Sequence, residues 1–222
     1  MLKEIFSILK NKARSFLENE TGAHEWGHVE RVFQLAKLVT KDLYVDWEVL
    51  EPAIWLHDIA RPREASGQVR CHAQEGARMV AEILGELDYP LEKIEQVCYA
   101  ISVHRYRTQL KAKTLEAQVL QDVDRLDALG AIGIARVFTM GGMKHRPIYD
   151  PKIPPNKIYE SDASTSLNHF FEKILKITPD SFNTPAAQKI AKERYNFTKM
   201  YIDRFLKELQ KVDLFQENKN KL

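Results

Sequence analysis

Residues 46–62 read DWEVLEPAIWLHDIARP. Leu50, Ala53 and Ile54 recur at the three- and four-residue spacing that lines up one face of a helix. His57 falls on the same face, three positions after Ile54, and Asp58 follows it directly. The pattern predicts a helix over about 46–60, stopped by Arg61-Pro62 because proline disfavours helical dihedrals in the residue before it. An imidazole at the end of an inward-facing apolar stripe is largely removed from water and needs partners.

Working outward, the same arrangement recurs. A helix over about 23–41 carries His28, Val32, Leu35, Ala36 and Val39 on one face. One over about 70–86 carries His72, Gly76, Met79 and Ile83, and one over about 91–105 carries Ile94, Val97, Ile101 and His104. Further helices are expected over about 2–19, 114–129 (capped by the Thr114 hydroxyl), 130–139, 163–176 and 185–210, followed by a polar tail. Residues 141–160 hold Gly141-Gly142 and four of the nine prolines, so they form the one long irregular segment. Such a segment inside a compact domain is usually functional or mobile. No stretch alternates with period two for long enough to be a strand. The expected fold is therefore all-α, a multi-helix bundle in one domain over 1–222, with its motifs between about 20 and 210.

Bulk properties narrow the function. Of the 222 residues, 44% are hydrophobic and 29% charged, an ordinary globular balance. Lys plus Arg is 33 against 31 for Asp plus Glu, and the net charge of +2 leaves no footprint for a dedicated nucleic-acid binder. An anionic substrate must then meet locally clustered bases. The two cysteines, Cys71 and Cys98, lie in no metal or redox spacing and read as reduced thiols. The N-terminal stretch mixes charge into its apolar residues, unlike a signal peptide. The longest apolar run, Leu129 to Phe138, is interrupted by Arg136 and falls short of the ~18 residues that span a bilayer. These features point to a cytoplasmic protein without a membrane partner. No oligomeric state is implied.

Four histidines at the ends of four inward stripes can converge on one point, as side chains of facing helices do in bundle metal sites. Carboxylates accompany them: Asp58, and the run Gln121-Asp122-Val123-Asp124-Arg125-Leu126-Asp127. In that run Leu120, Val123, Asp124 and Asp127 share a face and Asp122 falls off it; the alternative for all three aspartates is a solvated surface. This set resembles the HD-domain metal-dependent phosphohydrolases, whose pattern is a histidine, an adjacent His-Asp pair in a later helix, and a distant aspartate. His28 stands in HVERV, His57-Asp58 in WLHDIARP and Asp124 in QDVDRLDALG. The likeness extends across HAQEGA, ISVHR and GAIGIARVF, and is nearest to small single-domain bacterial members, some of which are nucleotide pyrophosphohydrolases.

The resemblance implies a divalent metal held by His28, His57, Asp58 and Asp124. Mn²⁺ is favoured, with Fe²⁺, Co²⁺, Ni²⁺, Zn²⁺ or Mg²⁺ as alternatives for this donor set. Water on such an ion has a lowered pKa and becomes a nucleophile, while the ion polarises a phosphoryl oxygen. His72 and His104 stand where binuclear relatives place further ligands; they either hold a second metal or hydrogen-bond the phosphate or leaving oxygen. Asp58, His72, His104 and Arg125 are thus the residues expected to serve catalysis, with Arg125 basic where relatives face phosphate. Arg63, Arg105, Lys144 and Arg146 are candidates for phosphate oxygens. Gly141-Gly142 suits a hinge, and Lys144-His145-Arg146 a mobile flap beside the metal.

The expected substrate is a small phosphorylated molecule, a nucleotide by preference, with a nucleoside or deoxynucleoside triphosphate giving the monophosphate and pyrophosphate. The rivals are a di-iron oxygenase of the same superfamily and a nucleotide-binding module with a structural metal. His24-Glu25-Trp26-Gly27-His28 also spells H-E-x-x-H, the zinc-protease motif, but Gly27 weakens a helix there.

Overall fold

The computed structural model describes residues 2–18, 25–158 and 163–219, with side chains to residue 210. Ten α-helices and no strand occur among them: α1 (Leu2–Leu17), α2 (Trp26–Val39), α3 (Trp47–Leu56), α4 (Arg61–Ala65), α5 (His72–Gly85), α6 (Leu91–Val103), α7 (Leu115–Leu126), α8 (Gly130–Met143), α9 (Ser166–Glu172) and α10 (Pro185–Lys219). The core runs through α3, which packs against α1, α2, α6 and α7. Its residues Val49, Leu50 and Pro52 to Leu56 are all buried. Among the described residues no single helix is long and apolar enough to cross a membrane.

Pro52 lies inside α3, where it cannot donate to the carbonyl of Glu48 four residues earlier. The Tyr89 hydroxyl donates to that carbonyl instead, at 2.7 Å. A cross-chain phenol thus replaces the missing helical bond, and α3 runs on to Leu56. There it stops, earlier than its apolar stripe suggests. His57 to Ala60 form a turn, and Arg61-Pro62 opens α4 rather than closing α3. Proline suits the first helical turn, where its missing N–H has no intrahelical partner anyway.

Thr114 caps α7 as expected, accepting from the Ala117 amide at 3.3 Å. The helix read over about 163–176 is shorter: α9 spans Ser166–Glu172, capped by Thr165, and a 3-10 turn follows over Ile174–Lys176. α10 continues past residue 210, where a polar tail was expected.

The irregular segment begins at residue 144. Gly141 and Gly142 belong to α8, so they are not a hinge. Gly141 is there for contact: a Cβ would stand 2.1 Å from the Ser166 hydroxyl of α9. α8 ends in a C-terminal motif in which His145 takes a left-handed φ of 52°, its amide donating to Gly142 and that of Arg146 to Gly141. Beyond it, the segment is tied to α9 rather than standing off as a flap. The Ser166 and Leu167 amides donate to the carbonyls of Pro147 and Ile148, Asn168 donates to Ile153, and Glu172 accepts from the Asn156 amide.

Candidate metal centre

The four histidines arrive at helix ends. His28 lies in the first turn of α2 and His72 opens α5, whereas His57 and His104 are the C-caps of α3 and α6. All four are fully buried. The last carbonyls of a helix lack intrahelical donors, and both C-cap imidazoles use this. Nδ1 of His57 lies 2.8 Å from the Ile54 carbonyl, and Nδ1 of His104 2.6 Å from that of Ile101. The other two meet carboxylates, His28 Nδ1 at 2.8 Å from Asp127 and His72 Nδ1 at 2.7 Å from Glu64. A carbonyl or carboxylate can only accept, so every Nδ1 carries the proton. Every Nε2 is thereby turned inward, and in the neutral imidazole presents its lone pair there, the arrangement that metal-ligating imidazoles require.

The Nε2 atoms surround Asp58. Its Oδ2 lies 3.8 Å from His28 Nε2 and 3.6 Å from His57 Nε2. Its Oδ1 lies 3.5 Å from His72 Nε2 and 3.6 Å from His104 Nε2. Asp124 Oδ1 completes the first half, 3.3 Å from His28 Nε2. His28 and His57 bring their Nε2 atoms within 3.4 Å of each other, and those of His72 and His104 are buried without a hydrogen-bond partner. Imidazoles and carboxylates gathered in this way form a donor set that could hold a divalent cation. His28, His57 and Asp58 place one donor atom each within 4.8 Å of one another, and so do Asp58, His72 and His104.

Electrostatics agree. Burial and Arg136 push the His28 pKa down, but Asp124 and Asp127 outweigh both and leave it raised. That proton would have to leave for His28 to ligate a cation. Burial lowers His57 and His72 to about 4, which keeps them as neutral ligands. Burial also pushes Asp124 up, but its bond to His28 holds it well below the usual carboxylate range.

The run 121–127 is no solvated face. Asp122, off the shared face, is fully buried and accepts from the Asn183 and Thr184 amides and from both their side chains, which fastens the start of α10. Asp127, 1% exposed, receives His28, Arg31 (Nε at 2.8 Å) and Arg136 (2.7 Å) together. Its outer role was not read from the sequence, although its spacing from Asp124 was. Arg61 was read only as a helix stop, yet its Nε donates to Asp58 Oδ1 at 3.0 Å. Glu64, also missed, accepts from His72 and pairs with Arg105 at 2.8 Å.

The remaining sequence candidates disperse. Arg105 stands beside the centre through Glu64, whereas Arg63 is exposed and pairs with Glu75 at 2.5 Å. Arg125 lies over the Tyr106 ring at 5.4 Å and donates to the Ser181 carbonyl at 3.4 Å. Lys144 and Arg146 follow the end of α8, near His169 of α9. Of the protease-like motif, His24 lies outside the described residues. Glu25 precedes α2 in extended conformation, so the motif does not lie along one helix.

The HD-domain family model matches residues 26–129. An HD-superfamily hydrolase from Bacillus thuringiensis is 34% identical, and its crystal structure superposes with a TM-score of 0.72 over 95% of this chain and 99% of that one. A crystal structure of a Listeria innocua protein is 32% identical, with a TM-score of 0.71 over 94% and 97% of the two chains. YpgQ of Bacillus subtilis is 29% identical over 213 residues, which cover 92% of this chain and 94% of YpgQ. Its crystal structure in complex with ADP gives a TM-score of 0.71 at 27% identity, over 92% and 95%. With His28, His57-Asp58 and Asp124 converging on one buried point, the chain belongs to the HD-domain superfamily, the metal-dependent phosphohydrolases that its sequence resembles.

Proposed function

We propose that this chain cleaves a nucleoside or deoxynucleoside triphosphate to the monophosphate and pyrophosphate, using one tightly held divalent ion, Mn²⁺ by preference. The observation that carries the reading is the convergence of four Nε2 lone pairs on Asp58, with bases grouped around it. The ADP complex of YpgQ supports a nucleotide as the substrate class.

His28, His57, Asp58 and Asp124 would hold the ion. When bound, it supplies Lewis acidity toward water and a phosphoryl oxygen. The chain's own residues do the rest. Asp127 and the Ile54 carbonyl keep two imidazoles in the ligating tautomer. Arg61 and Arg105, held by Asp58 and Glu64, stand ready to meet phosphate oxygens. His72 and His104 face the same space from the other side of Asp58. In the overall reaction a water oxygen bonds to the α-phosphorus, the bond from that phosphorus to the bridging oxygen breaks, and pyrophosphate leaves.

A nucleotide panel with added Mn²⁺, read by product mass, tests the reading. Monophosphate plus pyrophosphate is the expected product, abolished in Asp124→Ala. Release of orthophosphate only, or no turnover of any nucleotide, overturns it.

A further inference from the structure

A cleft of about 590 Å³ opens where α2 meets α1, α3, α8 and α10. It lies behind the metal centre rather than in it. Asp127 forms part of its wall, with His28 bonded to that carboxylate at 2.8 Å, whereas His28, His57, Asp58 and Asp124 do not line it. The volume suits a small organic molecule, and the walls are of the matching kind, apolar side chains with a few convergent polar groups. Phe33, Leu35 and Trp55 supply apolar wall. Leu38 and Ile132 join them while 63% and 43% exposed, so much of their apolar surface stands in water.

The charges on the walls do not all find partners. Glu30 pairs with Lys10 at 3.7 Å, and Asp127 takes Arg31 through two bonds of 2.8 and 3.0 Å. Arg194 is left over. It donates through Nη1 to the Leu126 carbonyl at 2.7 Å and makes no ion pair among the described residues. A guanidinium carries five N–H donors in a planar fork that matches an acid group, so most of those of Arg194 remain for a ligand. Gly27 adds a second mark. Glycine is a poor helix former, yet Gly27 lies in the first turn of α2 on the wall of the cleft. A Cβ there would stand 3.3 Å from Arg31 Nη1, so its absence leaves room beside the guanidinium that holds Asp127.

We infer that this cleft binds a small organic monoanion, its acid group paired with Arg194 and its apolar body laid against Phe33, Leu35, Leu38 and Ile132. The inference does not depend on the proposed triphosphate reaction. Asp127 and His28 stand between the cleft and the metal ligands, so the occupant is a ligand distinct from the substrate.

The test is calorimetric titration of the full chain with 1-naphthoate, with its neutral amide 1-naphthamide, and with acetate. Wild type should bind naphthoate about tenfold or more tightly than either of the others. Parity with naphthamide removes the role of charge, parity with acetate removes that of the walls, and each overturns the inference. Arg194→Gln should weaken naphthoate by about tenfold or more and naphthamide by less than about threefold; wild-type naphthoate affinity in this variant overturns the inference. Arg194 also bonds the corner between α7 and α8. Should Arg194→Gln melt early, Leu38→Glu with Ile132→Glu decides, since both side chains are exposed. The added negative charge should weaken naphthoate by about tenfold or more, and no loss overturns the inference. Naphthoate should stay bound in the presence of Mn²⁺ and excess ADP; displacement by ADP places it in the metal centre and overturns the inference.

Discussion

Replacing Asp127 by alanine takes the acceptor from the His28 Nδ1–H and leaves Arg31 and Arg136 facing a gap. Two magnitudes follow. For the metal, losing the partner that orients a ligating imidazole costs about 10–100-fold in affinity, or roughly 1.4–2.7 kcal/mol. For the fold, burial pushes the Asp127 carboxyl up, but its bonds to His28 and Arg31 overcome that and hold it at about 2 against an ordinary 3.8. That difference corresponds to about 2.5 kcal/mol of stability at neutral pH. Stripping one partner from a buried ion pair costs about 3–5 kcal/mol, so the larger figure applies to alanine, which strands two guanidiniums. A carboxylate with a depressed pKa stabilises above its unfolded value and loses that contribution as pH falls through its folded one. The stability gap between wild type and Asp127→Ala should therefore be full at pH 7 and narrow as pH drops from 3.8 towards 2. The assay is Mn²⁺ titration calorimetry on metal-depleted protein at pH 7, with urea melts across the acid range. Asp127→Asn should fall between wild type and alanine in metal affinity, because its carbonyl oxygen still accepts from His28 while its amide opposes an arginine donor. An alanine variant that binds Mn²⁺ with the wild-type Kd refutes the claim that Asp127 orients His28.

Asp124→Ala should lose metal and activity together. Asp122→Ala should keep its metal in elemental analysis yet melt early, by about 2–4 kcal/mol, because four donors at the start of α10 lose their acceptor. Tyr89→Phe should cost about 1–3 kcal/mol in denaturant melts, and clearly less in a Pro52→Ala background, where the helix supplies the Glu48 carbonyl with its own donor. Chelation should end turnover and lower the melting temperature, and Mn²⁺ at about 100 times Kd should restore roughly 2.7 kcal/mol; a melt indifferent to metal contradicts a structural fit of ion to site.

His28, His57, His72 and His104 were legible in the sequence because each prolongs an apolar stripe, and a stripe reports which way a side chain points. The repeated Ile-x-x-His at 54–57 and 101–104 even carries the Nδ1 contact, since it sets the imidazole against a carbonyl three residues back. Asp127 was different. Its partners His28 and Arg31 lie 99 and 96 positions away, and no local period encodes such a pairing. Arg61 was hidden for another reason: its partner Asp58 is only three residues away, but the pair spans the turn between α3 and α4, where no helical period applies. The boundary errors have local causes: proline both ends and begins helices, and paired glycines serve close packing as well as bending. Gly141-Gly142 was read as freedom, but Gly141 is used for contact with Ser166, while Gly142 meets nothing.

The corner between α7 and α8, which aims Asp124 and Asp127, is clamped from far downstream. The Thr198 hydroxyl accepts from the Gly130 amide at 2.9 Å, Arg194 donates to the Leu126 carbonyl at 2.7 Å, and Asn183 and Thr184 hold Asp122. Every proposed ligand has been translated by residue 124, but the clamp arrives only with residues 183–198. A nascent chain is therefore chemically complete long before it is geometrically competent. A chain ending before residue 183 would keep all four proposed ligands and lose the contacts that set this corner.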